Sequence, residues 1–124
     1  MTQRILLVDD ERELMAPIQI MLEEAGLSVD FAETYEQAMW RLVDKQYSAV
    51  ILDVRLGGAY SREGLFILDF VRTHLPGIHV IVMTGYGGPD IMKEVYRLNA
   101  HYYFEKPVRF NKLSAALCEL GVLL

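Results

Sequence analysis

Cysteine is almost absent: Cys118 stands alone in 124 residues, so no internal disulfide can form and packing must hold the fold. Its apolar neighbours predict a buried thiol, as suits the reducing cytoplasm. No apolar run approaches the ~20 residues that a membrane span needs, and the N-terminus lacks the charged, apolar and cleavage regions of a signal peptide. Both absences predict a soluble, cytoplasmic protein. Cations are also in deficit, with 12 Lys and Arg against 17 Asp and Glu and a net charge of −5. A chain so charged does not itself grip nucleic acid, which needs cations set against phosphates. Repeats, linkers and low-complexity tracts are missing, so residues 1–124 read as one domain.

What remains is 52% hydrophobic and 23% charged, the balance of a packed globular domain. A chain of this length buries roughly two-thirds of its unfolded surface. Five short runs read as strands: Arg4–Val8, Ser28–Ala32, Ala49–Asp53, His79–Met83 and Tyr102–Glu105. Helical spacing fills the intervals. Leu14, Ile18, Met21, Leu22 and Ala25 mark a first helix, with Gly26 at its C-cap and Pro17 expected to bend it. Thr34 and Gln37 form a capping box for a second helix through about Lys45, with Tyr35, Ala38, Met39 and Leu42 facing inward and Trp40 and Val43 flanking them. Leu65, Leu68, Val71 and Leu75 give a third helix closed by Pro76-Gly77, and Ile91, Val95 and Leu98 a fourth that Asn99 ends in the left-handed conformation. The fifth begins near Asn111 and carries Leu113, Leu117 and Leu120.

Strand alternating with helix five times over predicts an α/β fold with a parallel sheet and helices on both faces. Ligands of such sheets bind beyond the carboxyl ends of the strands. Four polar signatures fall there: Asp9-Asp10 after the first run, Asp53 after the third, Thr84 after the fourth and Lys106-Pro107 after the fifth. Adjacent carboxylates at a strand end must be solvated or coordinated, since unpaired buried charge is costly. Asp9, Asp10 and Glu11 alone would serve as helix caps; Asp53 on the neighbouring strand makes an all-oxygen cluster with Asp9 and Asp10. Without Cys or paired His nearby, such a cluster favours Mg²⁺ or Mn²⁺ over zinc.

The ordered set Asp9-Asp10, Asp53, Thr84, Lys106-Pro107 resembles the receiver domain of two-component response regulators, over essentially the whole chain. The resemblance implies a flavodoxin-like, doubly wound sheet of order 2-1-3-4-5 with five helices. It also implies that Asp53 accepts a phosphoryl group from a histidine kinase or phosphotransfer protein with Mg²⁺. The chain would then catalyse its own phosphorylation and dephosphorylation without being an enzyme in the usual sense. Asp10 and Asp53 would ligate the metal directly, Asp9 through water, and the carbonyl of Arg55 would add a ligand. Lys106 would supply a cation to the phosphoryl group and Thr84 a hydroxyl, with Pro107 in cis. Thr84 and Tyr103 would form the switch, and the surface of the fourth helix, fifth strand and fifth helix, including Lys93 and Arg97, would meet an effector, a protein partner or a second copy. Motifs such as Met83-Thr84-Gly85-Tyr86-Gly87 are similar to receivers of nitrogen-regulation transcription factors, so the chain is expected to be the N-terminal part of a longer regulator or a single-domain one.

Three departures from the family pattern stand out. Gly57 replaces the usual proline after the acceptor, in a Gly57–Gly64 loop about three residues longer than usual. Tyr102 replaces an acidic residue, which argues against a salt-bridged dimer. Arg55 and Tyr86, two beyond Asp53 and two beyond Thr84, flank the path of attacking water and predict slow loss of the phosphoryl group. The rival readings are a degenerate receiver acting only as an interaction module, and an aspartyl phosphohydrolase. The second would need an acid two residues beyond the nucleophile, where Arg55 stands.

Overall fold

The computed structural model describes residues 3–58 and 60–124. The described residues alternate strand and helix throughout: β1 Arg4–Val8, α1 Arg12–Glu24, β2 Ser28–Ala32, α2 Tyr35–Asp44, β3 Ala49–Leu52, α3 Glu63–His74, β4 His79–Thr84, α4 Pro89–Arg97, β5 Tyr102–Glu105 and α5 Phe110–Glu119. The strands form one sheet in the order β2-β1-β3-β4-β5, all neighbours parallel, as expected.

Period-two alternation splits the core between the two faces. Leu6, Val8, Val50, Leu52, Val80 and Val82 point toward α2, α3 and α4, where Leu42, Leu68, Val71 and Val95 meet them. Ile5, Leu7, Ile51, Ile81 and Met83 point toward Met15 and Leu22 of α1 and Leu113 and Leu117 of α5. Central strands buried on both sides explain why their sequences are continuously apolar. Strand β5 alternates as expected, Tyr103 packing with the first layer and Tyr102 and Phe104 with the second.

Several boundaries and faces differ from the sequence reading. Strand β3 stops at Leu52, leaving Asp53 just beyond it, and β4 runs on through Thr84. Helix α1 passes through Pro17, and its inward stripe is Met15, Ile18 and Leu22. That stripe turns Leu14 outward, 70% exposed, together with Met21. Thr34 accepts from the Gln37 amide as predicted, while the Gln37 side chain accepts from the Glu33 amide rather than from the cap residue. Cys118 is exposed, not buried: Leu113, Ala116 and Leu117 fill the inward face of α5, and one residue's ~100° step carries the thiol outward. Asn99 adopts φ 67 and Gly26 φ 99, ending their helices as anticipated.

The sheet edge opposite the polar signatures holds two networks. Asp30 accepts from Tyr47 at 2.7 Å and pairs with Arg4 and Lys45. Burial would raise its carboxyl, but the Tyr47 hydrogen bond and the two cations hold it below the usual range. On β4 and the loop before β5, His101 Nδ1 accepts from the Val80 amide at 3.0 Å and its other nitrogen lies 3.4 Å from His79 Nδ1. Burial, then the charges of Arg72 and His79, keep His101 below its ordinary pKa of 6.5. The unfolded chain therefore binds this proton more readily, and stability present above pH 6.5 declines as the pH falls toward the folded-state pKa. Urea denaturation should show that decline on acidification from about pH 7.5 to 5.5, with a shallower slope in His101→Asn; equal slopes in the two proteins would contradict it.

Candidate functional site

The sheet register delivers the polar residues to one edge. Val8 pairs with Leu52, so Asp9 and Asp53 leave adjacent strands side by side, and Thr84 pairs with Glu105, which precedes Lys106. Backbone bonds continue the sheet past its ends: the Asp53 amide donates to Val8, the Asp9 amide to Ala32 and the Lys106 amide to Thr84. These residues are therefore held by the scaffold rather than by loops. Gly64 locks the other side of β3, because a Cβ there would lie 2.0 Å from the Asp53 carbonyl oxygen.

Asp9 and Asp53 are each only 2% exposed, whereas Asp10 and Glu11 face solvent. Carboxylate oxygens of all four lie within 4.8 Å of one another. Lys106 bridges the buried pair, its ammonium on Asp9 Oδ2 and 3.2 Å from Asp53 Oδ2. Main-chain amides occupy other lone pairs: Glu11 donates to Asp9 Oδ1 at 2.8 Å and Arg55 to Asp53 Oδ1 at 3.2 Å. Burial pushes the Asp9 carboxyl up, ahead of the opposing pull of Lys106. Burial would lower Lys106, but the Asp9 hydrogen bond and the charges of Asp53 and Asp9 raise it, so the ammonium stays charged. Hard oxygen donors with no Cys or His among them fit a divalent cation such as Mg²⁺.

Around the cluster, Thr84 is fully buried and its hydroxyl accepts from the Tyr86 amide at 3.2 Å. The Lys106-Pro107 peptide is cis, as the resemblance implied. The Arg55 guanidinium lies 4.9 Å from the centre of the Tyr86 ring, so the two residues singled out beyond Asp53 and Thr84 touch each other. Tyr103 is half-buried and directs its hydroxyl to Gly88 and Glu105. Tyr102, the replacement for an acid, reaches Glu119 of α5.

The long loop also joins the site, although its Ala59 lies outside the described residues. The Gly57 amide donates to Asp10 Oδ2 at 3.0 Å from a backbone φ of 86. Proline, the residue more usual there, has no amide hydrogen and cannot reach that φ. Sequence reasoning left Glu11 as a helix cap and gave Gly64 no role. The acid's place in the cluster depends on how α1 leaves β1, but a glycine in the first turn of α3 was a visible hint of close backbone approach.

A family model for the response regulator receiver domain matches residues 5–118. The chain is 34% identical over 122 residues to an NtrX-like response regulator of Rickettsia bellii, covering 96% of this chain and 25% of that one. It is 31% identical over 115 residues to the transcriptional regulatory protein ZraR of Klebsiella oxytoca, covering 93% and 25%. The chain thus spans about a quarter of the length of the curated relatives it matches. Among solved structures, the beryllofluoride-activated NtrC4 receiver domain dimer is 27% identical with a TM-score of 0.83, covering 94% of each chain.

Lys106 separates two nearly buried carboxylates that would otherwise repel each other. Its replacement in Lys106→Met should cost roughly 2–4 kcal/mol of unfolding free energy. Adding Asp53→Asn should recover part of that loss; additive effects in the double-mutant cycle would show that the bridge is not the cause.

Proposed function

Because the chain belongs to the response regulator receiver domain family, we propose that Asp53 accepts a phosphoryl group from a histidine kinase or a phosphotransfer protein and that this changes the α4–β5–α5 face. The observation that carries the reading is the cluster itself: a nearly buried Asp53 beside Asp9 and Asp10, with Lys106 on its outer oxygen and the Thr84 hydroxyl on the next strand. Asp53 Oδ attacks phosphorus, an O–P bond forming as the donor's P–N bond breaks, and the departing imidazole keeps the electron pair and takes a proton from solvent. Asp10, Asp53 and the Arg55 carbonyl would hold Mg²⁺, with Asp9 through water; when bound it neutralises phosphoryl oxygens. Lys106 shifts its ammonium from the carboxylate pair to the transferred group, and Thr84 gives up the Tyr86 amide to donate its hydroxyl there.

The exposed Leu14 and Tyr86 flank the mouth, where a phosphodonor protein would dock. On the output side a cavity of about 570 Å³ is lined by residues such as Met92, Tyr103, Arg109 and Lys112, and would receive the effector. The NtrC4 dimer supports association of two activated copies, although Tyr102, bonded to Glu119, cannot make the acidic half of a salt bridge. ZraR's description as a transcriptional regulatory protein supports an effector that acts in transcription; with a net charge of −5 this domain would leave any DNA contact to another part of the protein, which we place in the cytoplasm. Among the described residues no helix is long and apolar enough to cross a membrane.

Acetyl phosphate with Mg²⁺ should add one phosphoryl mass to the protein and none to Asp53→Asn, with Asp10→Ala weakening Mg²⁺ binding at least tenfold. Failure of the unaltered protein to gain mass would favour the degenerate, interaction-only reading.

The phosphoryl group should also be long-lived. Arg55 and Tyr86 stack at the mouth, and neither is an acid or amide suited to orienting water for in-line attack. We expect a lifetime of minutes to hours rather than seconds, about 2–4 kcal/mol of added barrier. Tyr86→Ala and Arg55→Asn should both shorten it; a half-life of seconds that neither variant changes would refute the shielding role.

A further inference from the structure

The hydroxyl of Tyr103 is held from three sides. The Gly88 amide donates to it at 3.1 Å, and it donates to Glu105 Oε2 at 2.9 Å. The third side is a space: a Cβ on Gly87 would lie 2.0 Å from the Tyr103 oxygen and 2.4 Å from Glu105 Oε2. No side chain larger than hydrogen fits at 87 while the phenol is there. The Tyr96 ring packs edge-on at 6.4 Å and completes the surround. Of these residues only Tyr103 follows from the family pattern; Glu105 lies directly across the sheet from Thr84 and beside Lys106.

The loop between β4 and α4 is thereby tied at two points. Its Tyr86 amide is bound by the Thr84 hydroxyl at 3.2 Å and its Gly88 amide by the Tyr103 hydroxyl at 3.1 Å. A Thr84 hydroxyl that turns to donate to a phosphoryl group leaves the Tyr86 amide, and the loop then rests on the second tie alone.

We infer that Gly87, the Gly88 amide and the Glu105 carboxylate form a built seat for the Tyr103 phenol, making Glu105 and Gly87 positioning residues that stabilise the unphosphorylated arrangement and oppose activation. Glu105 accepts from the phenol in this arrangement, so any state that withdraws the ring loses a hydrogen bond to a charged group. A ligand that favours the withdrawn state binds more weakly while the seat is intact, by the factor the seat contributes. Burial, together with Glu105, raises the Tyr103 phenol above its ordinary pKa, in keeping with a hydroxyl held as a donor to a carboxylate. The opposition to activation rests on the phosphoacceptor reading, whereas the seat itself does not.

Two variants test it. Gly87→Ala evicts the hydroxyl sterically, and Glu105→Ala removes its acceptor; both leave the side chains of Asp9, Asp10, Asp53, Thr84 and Lys106 unaltered. In the unliganded protein, both should shift the Tyr103 ring resonances in NMR spectra, and unchanged resonances would overturn the seat. Gly87→Ala should lower the urea midpoint more in the Tyr103 background than with Tyr103→Phe, where the nearer clashing oxygen is gone and the exposed Glu105 carboxylate, no longer bound to a phenol, can turn away; an equal loss in both backgrounds would also overturn it. With Mg²⁺ and beryllofluoride, half-saturation should occur at about fivefold lower beryllofluoride in each variant. Equal or weaker binding in the variants would overturn the opposition to activation. Absence of beryllofluoride binding in the unaltered protein would refute both that opposition and the phosphoacceptor reading, while the ring shifts and the Tyr103→Phe comparison would still decide the seat.

Discussion

One ammonium makes the carboxyl edge of this sheet possible. Asp9 and Asp53 leave neighbouring strands side by side and are almost inaccessible to water, a placement that two carboxylates alone could not sustain. Lys106 enters from the far end of the sheet and lies on both. Main-chain amides from Glu11 and Arg55 take up further lone pairs, so each carboxylate is met by a charge and an oriented dipole. The same bridge ties the end of β5 to the ends of β1 and β3, across the width of the sheet's centre.

The cluster is unbalanced by design of the topology. Four carboxylates gather around one ammonium, so acidic groups outnumber cations at the site, and a phosphoryl group would be repelled there until further positive charge arrived. Oxygen donors without sulfur or imidazole select the kind of cation that can supply it. Asp10 is an exposed member, and its carboxylate already accepts from Gly57, so the long β3–α3 loop and the carboxylate cluster are in contact from the outset. An amide bonded to one oxygen fixes the orientation of the carboxylate, as outer-shell partners of metal ligands do.

The parallel sheet and its polar carboxyl edge were legible because each leaves an independent trace, in β-branched runs, helical spacing and polar residues at four strand ends, whereas the strand order was implied by the family resemblance. The faces of α1 were misjudged because Leu14 and Met15 are both apolar and adjacent, and only packing decides which turns inward. Cys118 was misjudged for the same reason, an apolar neighbourhood in sequence being a poor guide to a residue one step around a helix from the core stripe. Contacts made by glycine were illegible in kind. What Gly57 and Gly87 contribute is an amide at an unusual φ or the absence of a methyl group, and neither leaves a pattern along the chain; only Gly64, set in the first turn of a helix, left a hint.

The β4–α4 loop shows how such a small site reaches a distant face. Its two amides are held by two hydroxyls, Thr84 beside the carboxylates and Tyr103 on the outer strand, each a net contribution of about 1 kcal/mol. Thr84 and Glu105 are paired across β4 and β5, so the residue that holds the Tyr86 amide and the residue that accepts from Tyr103 share one rigid ladder. Neither tie is strong enough to fix the loop against a charged group competing for the Thr84 hydroxyl, and their sum is close to what one charge-assisted hydrogen bond supplies. On the proposed reading, a balance of that size would let one phosphoryl group on Asp53 exchange one loop arrangement for another without rebuilding the sheet.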